Sequence, residues 1–200
     1  MRVVAGDLRG RRIEGPAGEA TRPTTDKVRE AVFNALNSMG VLRDATVVDL
    51  FAGSGALGIE SLSRGAARCV FVESNRSALA VLKENLKTLN VESSSKVVVL
   101  DIAAHSSAAR LRELVESATL VLADPPYEYK HWNDLFSVID AGAPDDVLVV
   151  AETERRATLY EAPPEGWKLM RERTYGHTRV GFFTRAEGDI NAGSPISDVP

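Results

Sequence analysis

From about residue 45 onward, short apolar runs alternate with amphipathic stretches. The apolar runs predict five strands: 45–50, 68–73, 96–101, 118–124 and 146–152. Helical spacing between and beside them predicts helices: 56–65, 75–90, 105–117 and 131–141. Because these strands are nearly continuous apolar runs, we expect helices on both faces of the sheet. The pattern therefore predicts an α/β fold with a mostly parallel sheet and right-handed crossovers.

The two ends of the chain depart from this alternation. Short apolar segments on either side of Asp7 predict a small β-hairpin within residues 1–14, and a Gly- and Pro-rich loop follows. A helix is predicted from Thr24, which can act as its N-cap, to Gly40. The segments WKLMRERTYG and TRVGFFTR have no helix between them and predict an antiparallel hairpin, which brings the sheet to seven strands. The predicted units are an N-terminal extension, a main domain and a disordered tail: 1–23, 24–185 and 186–200.

Candidate site residues fall where the predicted strands end, which is where open α/β sheets bind ligands. The turn DLFAGSGALG (49–58) follows the first strand and contains the dinucleotide-binding pattern G-x-G-x-x-G. Glu73 ends the second strand and Asp101 the third, and the segment Asp124-Pro125-Pro126-Tyr127 follows the fourth. This shared location is stronger evidence for a site than any one motif.

The glycine pattern by itself does not identify the ligand. Asp49, four residues before Gly53, would repel a pyrophosphate but suits a ligand that carries an ammonium group. Glu73 can accept both hydroxyl protons of a ribose in either case. These residues favour S-adenosylmethionine, which has an ammonium group, a sulfonium and a ribose, over NAD. Gly58 is expected to serve helix–strand packing.

The DPPY segment (124–127) has the groups that methylation of an exocyclic amine requires. Two prolines fix the backbone and remove its amide hydrogens, so the segment presents acceptors. The Asp124 carboxylate and the Pro125 carbonyl can accept hydrogen bonds from an NH₂ group and stabilise the positive charge that develops on nitrogen. Tyr127 can stack on a base that has left its helix.

Four stretches together resemble a known family: RVVAGDLRGRRI at the start, RPTTDKVREAVFN at 22–34, DLFAGSGALGIESLSRGA at 49–66, and DPPY. The chain resembles the Rossmann-like, S-adenosylmethionine-dependent methyltransferases. More narrowly, it is similar to the RsmD family of bacterial 16S ribosomal RNA guanine-N2 methyltransferases. The middle two stretches are highly specific, whereas many amino-methyltransferases share DPPY. The tail from residue 186 has no counterpart that we can assign.

The resemblance implies a role for each matching residue. It places the cofactor against Asp49, Gly53, Gly55, Glu73 and Asp101, with neighbours in the same turns completing the site: Phe51, Ala52, Ser54, Ser74, Ile102 and Asp124. It makes residues 124–127 the catalytic loop. It implies that the N-terminal hairpin contacts 16S ribosomal RNA, with these cations: Arg2, Arg9, Arg11 and Arg12. Arg22 and Thr24 are carried over only as residues near the pocket.

Composition and charge limit the kinds of site and the cellular location that we expect for the chain. The chain has 200 residues, 44% of them hydrophobic, and a net charge of −4, yet Asp7 is the only acid among the arginines of residues 1–12. The lone Cys69 excludes an internal disulfide framework and is expected to be a buried apolar residue, and no metal site is predicted. No signal core is visible and no apolar run approaches the roughly 20 residues of a membrane span. We expect a cytoplasmic protein, a monomer that binds no membrane.

Several alternatives stay open at this stage. A DNA amino-methyltransferase would use the same DPPY chemistry, an NAD-dependent oxidoreductase would use the glycine turn, and a non-catalytic RNA-binding protein would use neither. The RNA substrate could be naked or part of a partly assembled small subunit. Tyr129 and Lys130 either border the base pocket or lie in an exposed loop. We expect the histidines to be structural or exposed (His105, His131, His177) and the tryptophans to be packing residues (Trp132, Trp167). The arginines of the C-terminal hairpin either touch phosphate or keep the sheet edge soluble (Arg171, Arg173, Arg179, Arg185).

Overall fold

The computed structural model describes residues 1–15, 26–126 and 129–186. The described helices are α1 (Asp26–Ser38), α2 (Ala56–Ser63), α3 (Arg76–Leu89), α4 (Ala108–Val115) and α5 (Trp132–Gly142). The strands are β1 (Thr46–Leu50), β2 (Arg68–Glu73), β3 (Ser95–Val99), β4 (Leu120–Ala123), β5 (Leu148–Glu154), β6 (Trp167–Tyr175) and β7 (Thr178–Arg185). Three short 3-10 helices cover Glu92–Ser94, His105–Ser107 and Thr158–Tyr160.

The seven strands form one sheet in the order β3-β2-β1-β4-β5-β7-β6. The first five pair in parallel, and β7 joins β5 antiparallel and carries β6 as the edge of a hairpin. The predicted fold class, with its C-terminal hairpin, is confirmed. Each of the seven strands predicted for this sheet is present, although β3 ends at Val99, two residues before Asp101.

The sheet is covered on both faces because its central strands are apolar on both faces. One core lies under α1, α2 and α3 and includes alternate strand residues such as Val47, Leu122 and Val150. The other lies under α4 and α5 and includes the residues between them, such as Val48 and Ala123. This alternation fixes the face on which each residue at the strand ends is expected to lie.

The N-terminal segment, residues 1–15, folds back on itself but forms only one antiparallel bridge, between Arg2 and Arg12. Two short strands were predicted. Their two sides are joined by Val3 N–H to Arg11 O at 2.9 Å and Ile13 N–H to Met1 O at 3.0 Å, but pairing stays limited because other backbone groups bind helix α2: Asp7 N–H donates to Ser63 O and Leu8 N–H donates to Ser63 Oγ. Val3 and Ile13 are buried in the same core as α1 to α3. The segment is therefore packed against the main domain, while the predicted boundary at residue 23 lies outside the described residues.

Candidate active site

The register of the sheet brings the predicted site residues into one row at the carboxyl edge. Leu50 pairs with both Val72 and Ala123, and Ala123 pairs with Ala151. One residue further along each strand are Phe51, Glu73, Asp124 and Glu152. Parallel neighbours are about 4.8 Å apart, so this row spans four adjacent strands. We call it the carboxyl-edge row.

The turn after β1 has an unusual backbone that requires glycine. Phe51, Gly53 and Gly55 all have positive φ, at 60°, 56° and 83°. A Cβ on Gly53 would meet only Phe51 O, at the ordinary contact distance of 3.9 Å, whereas a Cβ on Gly55 would lie 2.4 Å from Leu82 Cδ1. Gly53 thus leaves room for a ligand close to the backbone, and Gly55 lets α2 and α3 approach each other.

Two hydrogen bonds within the sheet and the turn hold this backbone in place. Ala52 N–H donates to Val72 O at 3.0 Å, and Gly55 N–H donates to Ala52 O at 2.7 Å. Gly58, in the first turn of α2, packs as predicted, because a Cβ there would lie 2.3 Å from Phe71 Cε1. The backbone of the turn is therefore held by hydrogen bonds within the protein.

Glu73 ties the ends of β1 and β2 together. Its Oε2 accepts from Gly53 N–H at 2.8 Å, and its Oε1 accepts from Ser74 N–H at 2.8 Å and Asn75 N–H at 2.7 Å. The carboxylate is half-buried and Ser74 is exposed. Glu73 thus stands beside the glycine turn with its oxygens at the surface of the carboxyl edge, where hydroxyl groups of a ribose could replace amide donors.

Asp49 is buried under the start of α2, with 1% of its surface exposed. Its Oδ2 accepts from Gly58 N–H at 2.9 Å, and its Oδ1 has no hydrogen-bond partner among the described residues. Burial raises the pKa of Asp49 to about 7, with smaller contributions from the charges of Asp124 and Glu73, and the Gly58 hydrogen bond opposes the shift. The site therefore holds a carboxylate that a nearby cation would stabilise in its ionised form.

The segment after β4 begins with Asp124, a member of the carboxyl-edge row. Asp124 is half-buried, Pro125 is buried and Pro126 is exposed. Tyr129 N–H donates to Pro126 O at 2.9 Å. Tyr127, for which we predict base stacking, lies outside the described residues, as do Arg22 and Thr24.

An aromatic cluster joins this turn to the glycine turn. The Tyr129 ring lies 5.1 Å from the Phe51 ring and 5.2 Å from the Trp132 ring, both edge to face. Tyr129 is half-buried, and burial raises the pKa of its hydroxyl. The sequence left two interpretations open for Tyr129. Its contact with the site residue Phe51 supports the interpretation that Tyr129 borders the pocket. Lys130 is exposed.

The third strand supplies the outer end of the site. Asp101 is exposed and its Oδ1 accepts from Ala103 N–H at 3.0 Å, which shapes the loop after β3. Ile102 is partly buried against the core under α4 and α5. Both residues lie beyond Glu73 in the strand order, because β3 is the neighbour of β2.

The four arginines of the N-terminal segment are all exposed. Arg2 donates to Gly10 O at 2.7 Å, Arg11 donates to Thr88 O at 2.6 Å, and Arg12 pairs with Glu14 at 2.8 Å. The contact of Arg11 joins this segment to the C-terminal part of α3. The charge pattern that we noted in the sequence is thus a feature of the surface.

A buried ionic cluster beneath this surface could not be seen in the sequence. Glu60 of α2 is fully buried and accepts from Val4 N–H at 2.8 Å, Ala5 N–H at 3.1 Å and Arg64 Nε at 2.7 Å. The buried Arg29 of α1 lies 3.6 Å from the same carboxylate and also donates to Arg2 O. The cluster joins the N-terminal segment to α1 and α2.

Two further buried polar residues were also missed. Asn85 of α3 binds backbone groups of Glu14 and Ser54. Glu152, the last member of the carboxyl-edge row, is 8% exposed and lies close to Arg29, since both line a small cavity under α1 and α2. No local signal identified them, because an Asn in a helix and a Glu at a strand end are ordinary surface residues.

The other sequence expectations can be compared directly. Cys69 is buried, Trp132 and Trp167 pack against Phe136, and the three histidines are exposed. Arg179 pairs with Glu161 and Glu172, and Arg185 pairs with Asp140, so these two arginines are engaged within the fold. Arg171 and Arg173 are exposed on the edge strand β6.

Other regions of the described chain are weaker candidates for an active site. A groove of about 430 Å³ between α3 and β3 is lined by Lys83, Lys87, Glu84 and Glu92, whose charges balance. Across the described ranges, no group of three or more His, Cys, Asp or Glu side chains could hold a metal ion. Among the helices that the structure describes, none is both long and apolar enough to cross a membrane. The carboxyl edge is therefore the candidate active site.

This sheet order, with a glycine turn after β1 and an Asp-Pro-Pro segment after β4, defines an α/β methyltransferase fold. The sequence model of the family described as conserved hypothetical protein 95 matches residues 1–184. The chain belongs to that family, the RsmD family, which confirms the resemblance drawn from the sequence.

Individual relatives agree over nearly the whole chain. Ribosomal RNA small subunit methyltransferase D of Escherichia coli K12 is 34% identical over 198 residues, which covers 96% of this chain and 94% of that protein. The protein of the same name from Haemophilus influenzae is 33% identical over 180 residues, with 88% and 89% covered. The solved structure of yhhF from Escherichia coli superposes with a TM-score of 0.77 at 32% identity, and 92% and 97% of the two chains are covered.

Proposed function

We propose that this chain transfers a methyl group from S-adenosylmethionine to the exocyclic N2 amine of one guanine in 16S ribosomal RNA. The observation that carries the proposal is the carboxyl-edge row, in which Asp124 stands next to the glycine turn and β1 separates it from Glu73. A methyl donor and a planar amine would meet at this point. The names of the relatives support ribosomal RNA as the substrate class.

The negative charges at the carboxyl edge favour this cofactor over a dinucleotide. Asp49, Glu73 and Asp124 are close enough for the latter two to raise the pKa of the first. Such a concentration of negative charge repels a pyrophosphate and attracts the sulfonium and ammonium groups of S-adenosylmethionine. We assign the ribose to Glu73, the ammonium to the field of Asp49, and the adenine to the loop that carries Asp101 and Ile102.

The reaction needs little from the protein besides position and hydrogen-bond acceptors. The cofactor supplies an electrophilic methyl, so the N–C bond forms as the C–S bond breaks, and the amine then loses a proton to solvent. The Asp124 carboxylate and Pro125 carbonyl accept hydrogen bonds from the amine and stabilise its developing positive charge. Because the two prolines restrict the backbone that carries the Pro125 carbonyl, this acceptor needs little reorganisation at the moment of transfer.

The affinity for the cofactor should depend on pH through Asp49. The ionised carboxylate attracts the ammonium, and its pKa in the free chain is about 7. We therefore expect S-adenosylmethionine to bind more weakly as pH falls from 8 to 5.5, by up to about tenfold per pH unit below 7. Isothermal titration calorimetry in a pH series measures this. In Asp49→Asn, which keeps an acceptor for Gly58 N–H, the dependence should be lost, and an Asn variant that retains it would remove Asp49 from the account.

The same shift affects stability with a defined sign. The folded-state pKa of Asp49 lies above the ordinary value of 3.8, so the folded chain holds this proton more tightly than the unfolded chain. The contribution of this group to stability is fully present below about pH 4 and is lost as pH rises to about 7. A bound cation offsets that loss.

The N-terminal arginines are assigned to phosphate contact. Simultaneous replacement of Arg9, Arg11 and Arg12 by Ala should weaken binding to deproteinised 16S RNA and reduce the slope of log affinity against log salt by about 2 to 3. Filter binding over a series of salt concentrations provides the measurement. Arg43→Ala and Arg110→Ala, at exposed positions elsewhere, are matched controls. An unchanged slope in the triple variant would exclude these arginines from the interface.

Transfer of tritiated methyl separates the candidate activities. We expect incorporation into 16S RNA, either deproteinised or in a partly assembled small subunit, and none into DNA. Incorporation into DNA alone would establish the amino-methyltransferase alternative. Incorporation into neither, with tight binding of NAD in calorimetry, would establish an oxidoreductase. Incorporation into neither, with RNA binding alone, would leave a non-catalytic RNA-binding protein.

The proposed cellular location follows from the proposed substrate. The relatives come from bacteria, in which ribosomal RNA is made in the cytoplasm, so we propose a cytoplasmic enzyme. We further propose that it acts as a monomer. We also propose that residues 1–23 form the RNA-contacting part and residues 24–185 the catalytic domain. Of the tail predicted from the sequence, 186–200, all but the first residue lies outside the described residues.

A further inference from the structure

Asn85 is a buried amide whose hydrogen-bonding groups are all used. It lies in the middle of α3 and is 3% exposed. Its Oδ1 accepts from Glu14 N–H at 2.9 Å, and its Nδ2 donates to Glu14 O at 3.0 Å and to Ser54 O at 2.9 Å. A side-chain amide has one acceptor oxygen and two N–H donors, so this set is complete. Rotation of the amide by 180° would place its oxygen against two carbonyls.

One of these bonds orients the glycine turn of the candidate site. Ser54 O and Gly55 N–H belong to the same planar peptide group. Asn85 holds its carbonyl, and its N–H donates to Ala52 O at 2.7 Å. The plane of this peptide is therefore fixed from both ends, and with it the direction in which the turn between Gly53 and Gly55 faces a ligand.

The other two bonds hold the N-terminal segment. Glu14 follows directly after Arg11, Arg12 and Ile13, and both of its backbone groups bind Asn85. A second contact lies one turn further along α3, where Arg11 donates to Thr88 O at 2.6 Å. The segment is thus fixed to the same helix that positions the glycine turn.

We propose that Asn85 is a positioning residue that couples the N-terminal segment to the glycine turn, so that RNA and S-adenosylmethionine bind this chain cooperatively. The inference rests on the proposed function, because it assigns RNA to the N-terminal segment and the cofactor to the turn. It adds an energetic link between the two sites. Asn85 touches neither reacting group and acts through Ser54 and Glu14.

The physical basis is a shared ordering cost. Each ligand restricts one end of the Glu14–Asn85–Ser54 connection, and the ligand that binds second meets a partner that is already ordered. The coupling must be reciprocal, so RNA tightens the binding of cofactor by the same factor as cofactor tightens the binding of RNA. If Asn85 were merely structural, its substitution would lower the stability of the fold and leave this factor unchanged.

The test measures that factor directly. The dissociation constant of S-adenosylhomocysteine, which cannot react, is determined by equilibrium dialysis with and without saturating deproteinised 16S RNA. For the wild-type chain we expect RNA to tighten binding about fivefold or more. A wild-type factor of one overturns the inference, whatever the variants do, and leaves the proposed function standing if methyl transfer is observed.

Two variants break the connection at different points. Asn85→Asp has nearly the same shape but places an oxygen against the carbonyls of Glu14 and Ser54. Glu14→Pro removes the N–H that Asn85 accepts and leaves α3 unaltered. In both we expect the factor to fall to about one, while Asn37→Asp, the same chemical change at an exposed position of α1, keeps the wild-type factor.

The outcomes separate the possible failures. Thermal unfolding shows whether each variant is folded, and if Asn85→Asp is not, Glu14→Pro decides. A folded Asn85→Asp or Glu14→Pro chain that retains the full factor overturns the inference. A wild-type chain that neither binds S-adenosylhomocysteine nor transfers methyl overturns the proposed function, and the coupling with it.

Discussion

Asp124→Ala should lower the rate of methyl transfer by about 10²- to 10³-fold or more, while binding of the cofactor survives. The carboxylate accepts from the amine on which positive charge develops, so its loss affects the transition state more than the ground state. Its charge also raises the pKa of Asp49. In the variant that pKa should fall, which favours binding of a cation at neutral pH.

Single-turnover transfer to 16S RNA gives the rate, and calorimetry gives the affinity for S-adenosylmethionine. Asp124→Asn is the matched variant, since it keeps an acceptor oxygen and loses the charge, and it should fall between wild type and Ala. Near-normal turnover of the Ala variant would show that the catalytic assignment of Asp124 is wrong. Loss of cofactor binding together with activity would instead make Asp124 a binding residue.

Glu60→Ala should destabilise the fold more than any other carboxylate substitution that we consider. It leaves the buried Arg29 and Arg64 without their shared counter-charge and removes the acceptors of Val4 and Ala5 N–H. Breaking a buried ion pair in this way costs about 3–5 kcal/mol of unfolding free energy. For a chain of this size that corresponds to a fall in Tm of roughly 6–20 °C.

Calorimetric unfolding measures the change, and Glu113→Ala is the control. Glu113 pairs with Arg110 three residues away on α4, but both side chains are at least half exposed. That substitution should cost no more than about 1 kcal/mol. Equal Tm values for the two variants would show that burial does not strengthen the Glu60 cluster.

The sequence predicted the parts of this structure that depend on local periodicity. Continuous apolar runs identified the parallel strands, and the positions at which they end identified the carboxyl edge. The register that brings Glu73 and Asp124 level with the glycine turn was not predicted from the sequence and is known from the structure. The C-terminal hairpin was predictable because no helix separates its two strands.

The buried polar residues could not be predicted, because their environment is created by distant segments. Glu60 and Arg64 have the i, i+4 spacing of a surface ion pair, and they are buried only because residues 1–5 pack over them. Asn85 has partners 31 and 71 residues away in sequence. The predicted N-terminal hairpin is reduced to one bridge for a related reason: its two sides still bind each other, as in Val3 N–H to Arg11 O, but other backbone groups of the segment bind α2 and α3.

The central claim concerns one product, N2-methylguanosine in 16S ribosomal RNA. Purified 16S RNA from cells with and without this protein, digested and analysed by mass spectrometry, tests it most directly. We expect one N2-methylguanosine position to be present with the protein, absent without it, and not restored by Asp124→Ala. Identical modification maps from the two cell lines, or the loss of a different methylated nucleoside, would contradict the account.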